Sequence, residues 1–204
     1  MGSEMCIRDR LESPQSNKEP DYVNLTRFLD NLGFPVPKLY FYDGTAGLVI
    51  VEDCGDILFK DVLFPNKNSQ EIRSWYEKAI ALLVQMQHIC TERMEPTCPA
   101  FHLRFDVEKL MWEFDFMLTY YVEGIKKNKL ALDDRYQMRN GFQPVCVTLA
   151  AEKHYFTHRD YHSRNLMVLD DKTLGIIDFQ GAKWGPITYD LASLLREVNI
   201  DWSI

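Results

Sequence analysis

The chain has 204 residues, 46% of them hydrophobic, which is enough to bury a sizeable core and too apolar for a disordered segment. With 30 acidic against 23 basic side chains its formal charge is -7, which excludes a surface built for nucleic acid or anionic lipid; an anionic substrate has to be met locally, through a divalent cation. Cys6, Cys54, Cys90, Cys98 and Cys146 are odd in number and include no C-x-x-C pair, so neither a disulfide framework nor a zinc ribbon is indicated, and a reducing cytoplasm fits the composition.

The opening ten residues, "MGSEMCIRDR", share no pattern with the rest of the chain and resemble a translated sequencing adapter, so they are expected to be non-native and are set aside. After a polar stretch, Val23, Leu25, Phe28, Leu29 and Leu32 fall near helical spacing, and Gly33, Pro35 and Pro37 stop the helix. "KLYFYD" and "GLVIVED" are two aromatic and β-branched runs joined by "DGTAG", a predicted hairpin whose polar exit, Glu52 to Gly55, suits a hinge. Asn68 and Glu71 have capping-box spacing ahead of a stripe of Ile72, Trp75, Tyr76, Ala79, Leu83 and Met86. Asp106 is predicted to cap a second helix with Leu110, Phe114, Met117, Leu118 and Tyr121 facing inward, and Glu108, Glu113 and Asp115 on a solvated face. A third helical stretch near Arg135 to Glu152 is expected to be interrupted at Gly141 and Pro144. "HYF", "LMVL" and "LGII" read as short strands, with "DDKT" as the turn between the last two. No run approaches the ~20 apolar residues of a membrane span. The final "REVNIDWSI" reads as a helix without a stop signal, so the chain is expected to be a fragment at both ends.

Chemistry concentrates in "HRDYHSRNLMV" and "LGIIDFQGAKWGPITYD". Asn165 precedes one strand and Asp178 comes after the next, so an antiparallel hairpin brings them together across thirteen positions. An amide oxygen and a carboxylate at one point are hard donors suited to Mg²⁺. Asp160, on the loop just before, is placed to take a proton from a hydroxyl attacking the γ-phosphate of ATP.

The pattern H-x-D-x-x-x-x-N followed by I-D-F resembles the catalytic loop and metal-binding aspartate of the aminoglycoside phosphotransferase family, over about residues 11 to 204. Within that family it resembles kinases of the anomeric hydroxyl of N-acetylmuramate and N-acetylglucosamine. The resemblance implies an α+β, protein-kinase-like two-lobed fold: an incomplete N-lobe over residues 11–53 ending in the hinge, and a mainly helical C-lobe over 54–204, truncated at its C-terminus. It implies ATP and Mg²⁺ as cofactors, a small-molecule acceptor, and neither nucleic acid nor membrane as partner. Asp160 would be the catalytic base, and Asn165 and Asp178 the metal ligands. Glu52 and Cys54 would bind adenine through backbone groups, with Met167 and Ile177 as the apolar floor beneath it. His158 and Asp190 would brace the loop. His162 and Arg164 either approach the acceptor or cap and solvate the loop. By the resemblance, the family's early strands and phosphate-covering loop are expected to precede residue 11 and its later C-terminal helices to follow Ile204.

The same residues support two rival readings. His158, Asp160 and His162 alternate, and on an extended strand they would share one side as ligands of a metal-dependent hydrolase, with His88, His102 or His154 completing the set. A catalytically inactive kinase-like interaction module is the other.

Overall fold

The computed structural model describes residues 19–63, 69–169 and 172–196. Helix α1 (Asp21–Asn31) buries Val23, Leu25 and Leu29 on one face. Gly33 ends it at φ +79°, with its N–H on Asp30 O at 2.9 Å and the Phe34 N–H on Leu29 O at 3.0 Å, so the last carbonyls are satisfied by a left-handed cap. Strands β1 (Leu39–Asp43) and β2 (Leu48–Val51) form the expected antiparallel hairpin. Its turn is held by Asp43 Oδ1, which accepts from Thr45 N–H at 2.8 Å and Ala46 N–H at 3.0 Å.

After the short α2 (Phe59–Leu63) comes the long α3 (Ser69–Arg93). Its predicted stripe is the buried one: Tyr76, Ala79, Leu83 and Met86 lie in the core, with Ile72 and Trp75 packed at its margin. The Asn68 cap lies outside the described residues. A 3₁₀ turn (Pro99–His102) leads to α4 (Val107–Phe116), opened as expected by Asp106, whose Oδ1 accepts from Lys109 N–H at 2.8 Å.

Three expectations for this region are corrected. The helix continues past α4 with π-helical geometry over Met117–Ile125, and this wider winding rotates the residues beyond it off the α-helical stripe. Leu110 and Leu118 are buried as expected, while Tyr121 is 48% exposed. Helix α5 (Leu132–Ala151) runs unbroken through Gly141 and Pro144. Packing on both sides of the proline holds it: Phe142 stacks on Phe114 with centroids 4.0 Å apart, and Cys146 is buried with Phe105 and Leu110. Of the three acids expected on a solvated face only Glu108 is exposed; Asp115 pairs with Arg139, and Glu113 accepts from the Tyr189 hydroxyl at 3.2 Å.

Strands β3 (His154–Thr157), β4 (Leu166–Val168) and β5 (Leu174–Ile176) stand where the sequence predicts them. An unpredicted β6 (Lys183–Pro186) pairs antiparallel with β3, and α6 (Tyr189–Leu195) comes after it. "KWGP" carries Gly and Pro and no alternation, so only its distant partner makes it a strand. β4 and β5 form the expected hairpin; Asp170 and Asp171 of its turn lie outside the described residues. The main core joins Leu25, Leu29, Phe34 and Val36 to α3 and to Phe156, Leu166, Ile176 and Phe179. Tyr22 stacks on Phe179 with centroids 5.6 Å apart, and Ile176 N–H bonds to Pro35 O at 2.7 Å. The core thus runs across the change of structure at Asp53. Beyond Asp53, Val168 N–H bonds to Ile57 O at 2.8 Å, which ties the segment after β2 to β4.

Candidate active site

The loop from His158 to Asn165 links β3 to β4 and is anchored from three directions. Tyr161 is fully buried and donates its hydroxyl to Ala79 O on α3 at 2.8 Å. Ser163 O accepts from Lys60 N–H of α2 at 3.1 Å. Asp190, buried in the first turn of α6, accepts from His158 N–H at 2.7 Å and from Arg159 N–H at 2.9 Å. Arg159 takes φ +83°, a left-handed conformation costly for a side chain of this size, and the Asp190 bond fixes it there.

His158 is enclosed by this frame. Its Nδ1 accepts from Asp160 N–H at 3.3 Å, so its Nε2 carries the proton and donates to Ile177 O at 3.0 Å. The ring faces the core, which removes it from any ligand set shared with Asp160 and His162 and ends the hydrolase reading. Burial, more than the opposing Ile177 bond, pushes the imidazole down to about 4. A histidine with a lowered folded pKa contributes stability above its ordinary 6.5, and that stability is lost as pH falls towards 4. The destabilisation caused by His158→Gln, measured by urea unfolding, should therefore shrink by up to about 3 kcal/mol between neutral pH and pH ~4. An effect independent of pH would mean that the buried ring is not held neutral.

Asn165 and Asp178 meet. The Asn165 amide Nδ2 lies 3.2 Å from Asp178 Oδ2 and 2.9 Å from Asp160 O, and Asn165 O accepts from Ile177 N–H at 3.1 Å, continuing the β4–β5 ladder to the site. Asp178 stands at φ +63°, turned out of strand geometry, and its other oxygen accepts from Gln180 Nε2 at 2.6 Å. Asp160 is exposed at the same end of the hairpin. An amide and two carboxylates at one end of the hairpin are donor types that suit a small divalent cation; the Asn165 amide presents its Nδ2, not its oxygen, to Asp178 and to Asp160 O.

Just past β2, Glu52 N–H bonds to Lys38 O at 2.8 Å and Glu52 Oε2 accepts from Lys38 N–H at 3.2 Å. Gly55 turns the chain at φ +82° with its N–H on Asp53 Oδ1. Burial, and after it the charges of Glu52 and Asp53, pushes the half-buried Cys54 thiol up to about 11, so it is inert as a nucleophile. Met167 is buried and bridges to Leu58, and Ile177 is half-buried one residue past β5. His162 is half-buried and Arg164 exposed on the loop. Gln180, which orients Asp178, was missed by sequence reasoning; its signal is its place two residues beyond the aspartate.

The model of the phosphotransferase enzyme family matches residues 4–204, beginning inside the stretch set aside as non-native. A curated relative, the N-acetylmuramate/N-acetylglucosamine kinase of Neisseria meningitidis serogroup B, is 26% identical over 93% of this chain and 54% of its own length. The chain thus spans about half the length of the curated relatives it matches. Among solved structures, the choline kinase LicA from Streptococcus pneumoniae superposes with a TM-score of 0.58 at 17% identity, over 95% of this chain and 59% of that one. The streptomycin–ATP ternary complex of the aminoglycoside phosphotransferase APH(2")-IIa does so with 0.54 at 16% identity, over 90% of this chain and 60% of that one. These likenesses establish a kinase-like α+β fold. A buried, doubly braced loop that presents Asp160 beside a converged asparagine and aspartate, in a chain matched by the family model almost from end to end, makes this protein a member of the phosphotransferase enzyme family.

Proposed function

We propose that the protein is an ATP- and Mg²⁺-dependent kinase of a small-molecule hydroxyl, with the anomeric hydroxyl of an amino sugar of the N-acetylmuramate and N-acetylglucosamine type as acceptor, acting in the cytoplasm in cell-wall recycling. The observation that carries it is the 3.2 Å contact between Asn165 and Asp178 next to the exposed Asp160. In this reading residues 11–53 contribute an N-lobe portion and hinge, and 54–204 the C-lobe.

Asp160 accepts the proton of the attacking hydroxyl, and its exposure gives an acceptor access to it. Asn165 and Asp178 would hold Mg²⁺, whose contribution when bound is to neutralise and align phosphate charge. Gln180 keeps the Asp178 carboxylate turned toward Asn165. Backbone groups of Glu52 and Cys54 take the adenine edge, and Met167 and Ile177 supply its apolar floor. Buried Asp190 and neutral His158 position the loop without reacting. His162 and Arg164 are candidates for acceptor contact.

An anomeric hydroxyl is more acidic than an ordinary sugar alcohol, so a single carboxylate base suffices for it. Titration of the full-length gene product with ATP should show binding that depends on Mg²⁺, and then turnover with an amino sugar to give a 1-phosphate by phosphorus NMR. A 6-phosphate product would overturn the anomeric assignment. Turnover only with aminoglycoside, choline or homoserine would overturn the amino-sugar one. Absence of nucleotide binding would leave the inactive interaction module as the correct reading.

A further inference from the structure

Asp190 braces the loop, yet the helix that carries it, α6, has little to anchor it by itself. It is seven residues long, Thr188 at its N-cap makes no side-chain cap bond, and only Asp190 and Leu194 in it are buried. The aim of the Asp190 carboxylate is therefore set by what grips the chain just before it. Two grips come from two different helices, through residues to which the roles above give no part. Gln87 of α3, 4% exposed, donates from Nε2 to Ile187 O at 2.9 Å. The Tyr189 hydroxyl donates to both carboxylate oxygens of Glu113 on α4, at 3.2 Å to Oε2 and 3.4 Å to Oε1. The tyrosine ring is seated independently of that bond: its centroid lies 4.5 Å from that of Phe105, a fully buried residue whose N–H bonds to Trp184 O on β6 at 2.9 Å. Burial, and after it the charge of Glu113, push the phenol well above its ordinary range, so the hydroxyl keeps its proton and remains a donor.

We propose that Glu113 and Tyr189 are positioning residues for phosphoryl transfer: their bond ties α4 to the first turn of α6, which aims Asp190 and so fixes where Asp160 stands. This rests on Asp160 as the base in the reading above. The contacts are continuous, from Glu113 to Tyr189, from Asp190 to the His158 and Arg159 N–H groups at 2.7 and 2.9 Å, and through Arg159 at φ +83° to Asp160. The shared bond is long, so its effect on global stability is small. Its effect on direction is not small, because phosphoryl transfer depends on alignment and a displacement of about 1 Å costs up to about a hundredfold in rate.

Tyr189→Phe keeps the ring on Phe105 and loses only the hydroxyl, so the variant should fold. In the full-length gene product, with ATP and N-acetylglucosamine, kcat should fall about tenfold while KM for each stays within about threefold. Glu113→Ala should match it, and Glu113→Gln, which keeps an oxygen for the hydroxyl, should recover most of the rate. Combining Tyr189→Phe with Glu113→Ala should be no worse than either alone. An unchanged kcat in Tyr189→Phe, or a double variant that loses the product of the two single effects, overturns the proposal. Amide hydrogen exchange at His158 and Arg159, followed by NMR, needs no turnover: both should exchange at least about tenfold faster in Tyr189→Phe, with the amides of α3 unchanged. That result with a wild type inactive on the sugar upholds the coupling and sinks the acceptor assignment alone. Unaltered protection at the two amides, or faster exchange throughout the chain, overturns the coupling whatever the wild type phosphorylates.

Discussion

Asp160→Asn in the full-length gene product should lower kcat by about a hundred- to ten-thousandfold while leaving nucleotide affinity within roughly threefold of wild type. The amide has the shape to keep the attacking hydroxyl in place but cannot take its proton. The loop should survive the change, since its anchors are Tyr161, Ser163 and the two N–H bonds to Asp190, none of which uses the Asp160 carboxylate. Asp178→Ala should abolish turnover by a different route. It removes the carboxylate that faces Asn165, so the Mg²⁺ dependence of nucleotide binding should vanish with activity. Asn165→Ala should fall between them. Near-normal kcat in Asp160→Asn would remove the residue from the mechanism, and Mg²⁺-dependent binding surviving in Asp178→Ala would do the same for that ligand.

The parts of the fold legible in the sequence are those fixed by local chemistry. Gly33 between a hydrophobic stripe and two prolines announces a left-handed helix end, and the structure has one. Asp106 announces its cap by type and position. The meeting of Asn165 and Asp178 is a consequence of a hairpin's geometry once the two strands are recognised, because the ends of antiparallel neighbours must adjoin. What escaped depends on partners far along the chain. β6 is a strand because β3 lies beside it, α5 passes Pro144 because Phe114 and Phe105 pack against it, and Tyr121 is exposed because π-helical winding shifts the register. At the site the division is the same. Residue types at fixed offsets foretold the meeting of Asn165 and Asp178, while a lysine in an unrecognised strand gave no sign that it would be buried.

Asp190→Ala should be among the most damaging single changes in the protein. It leaves the N–H groups of His158 and Arg159 buried without an acceptor, at a cost of about 1–3 kcal/mol each, and frees Arg159 to leave its left-handed conformation. Stability to urea should fall by roughly 2–5 kcal/mol, and kcat should fall with it because Asp160 is the next residue after Arg159. Asp190→Asn isolates the role of charge. Its single amide oxygen can serve one N–H while its NH₂ opposes the other, so one bond is lost and packing is kept. Burial pushes the Asp190 carboxyl up to about 7, against the two N–H donors that pull it down and with the Asp160 charge adding to the rise. With the folded pKa above the ordinary 3.8, the folded state holds the proton more tightly, and stability from this group declines as pH rises through that window. The penalty of Asp190→Asn should therefore be larger near pH ~5 than near pH ~8 when the variants are unfolded in urea. A penalty that grows with pH would show that the paired N–H groups outweigh burial and hold Asp190 as a carboxylate throughout.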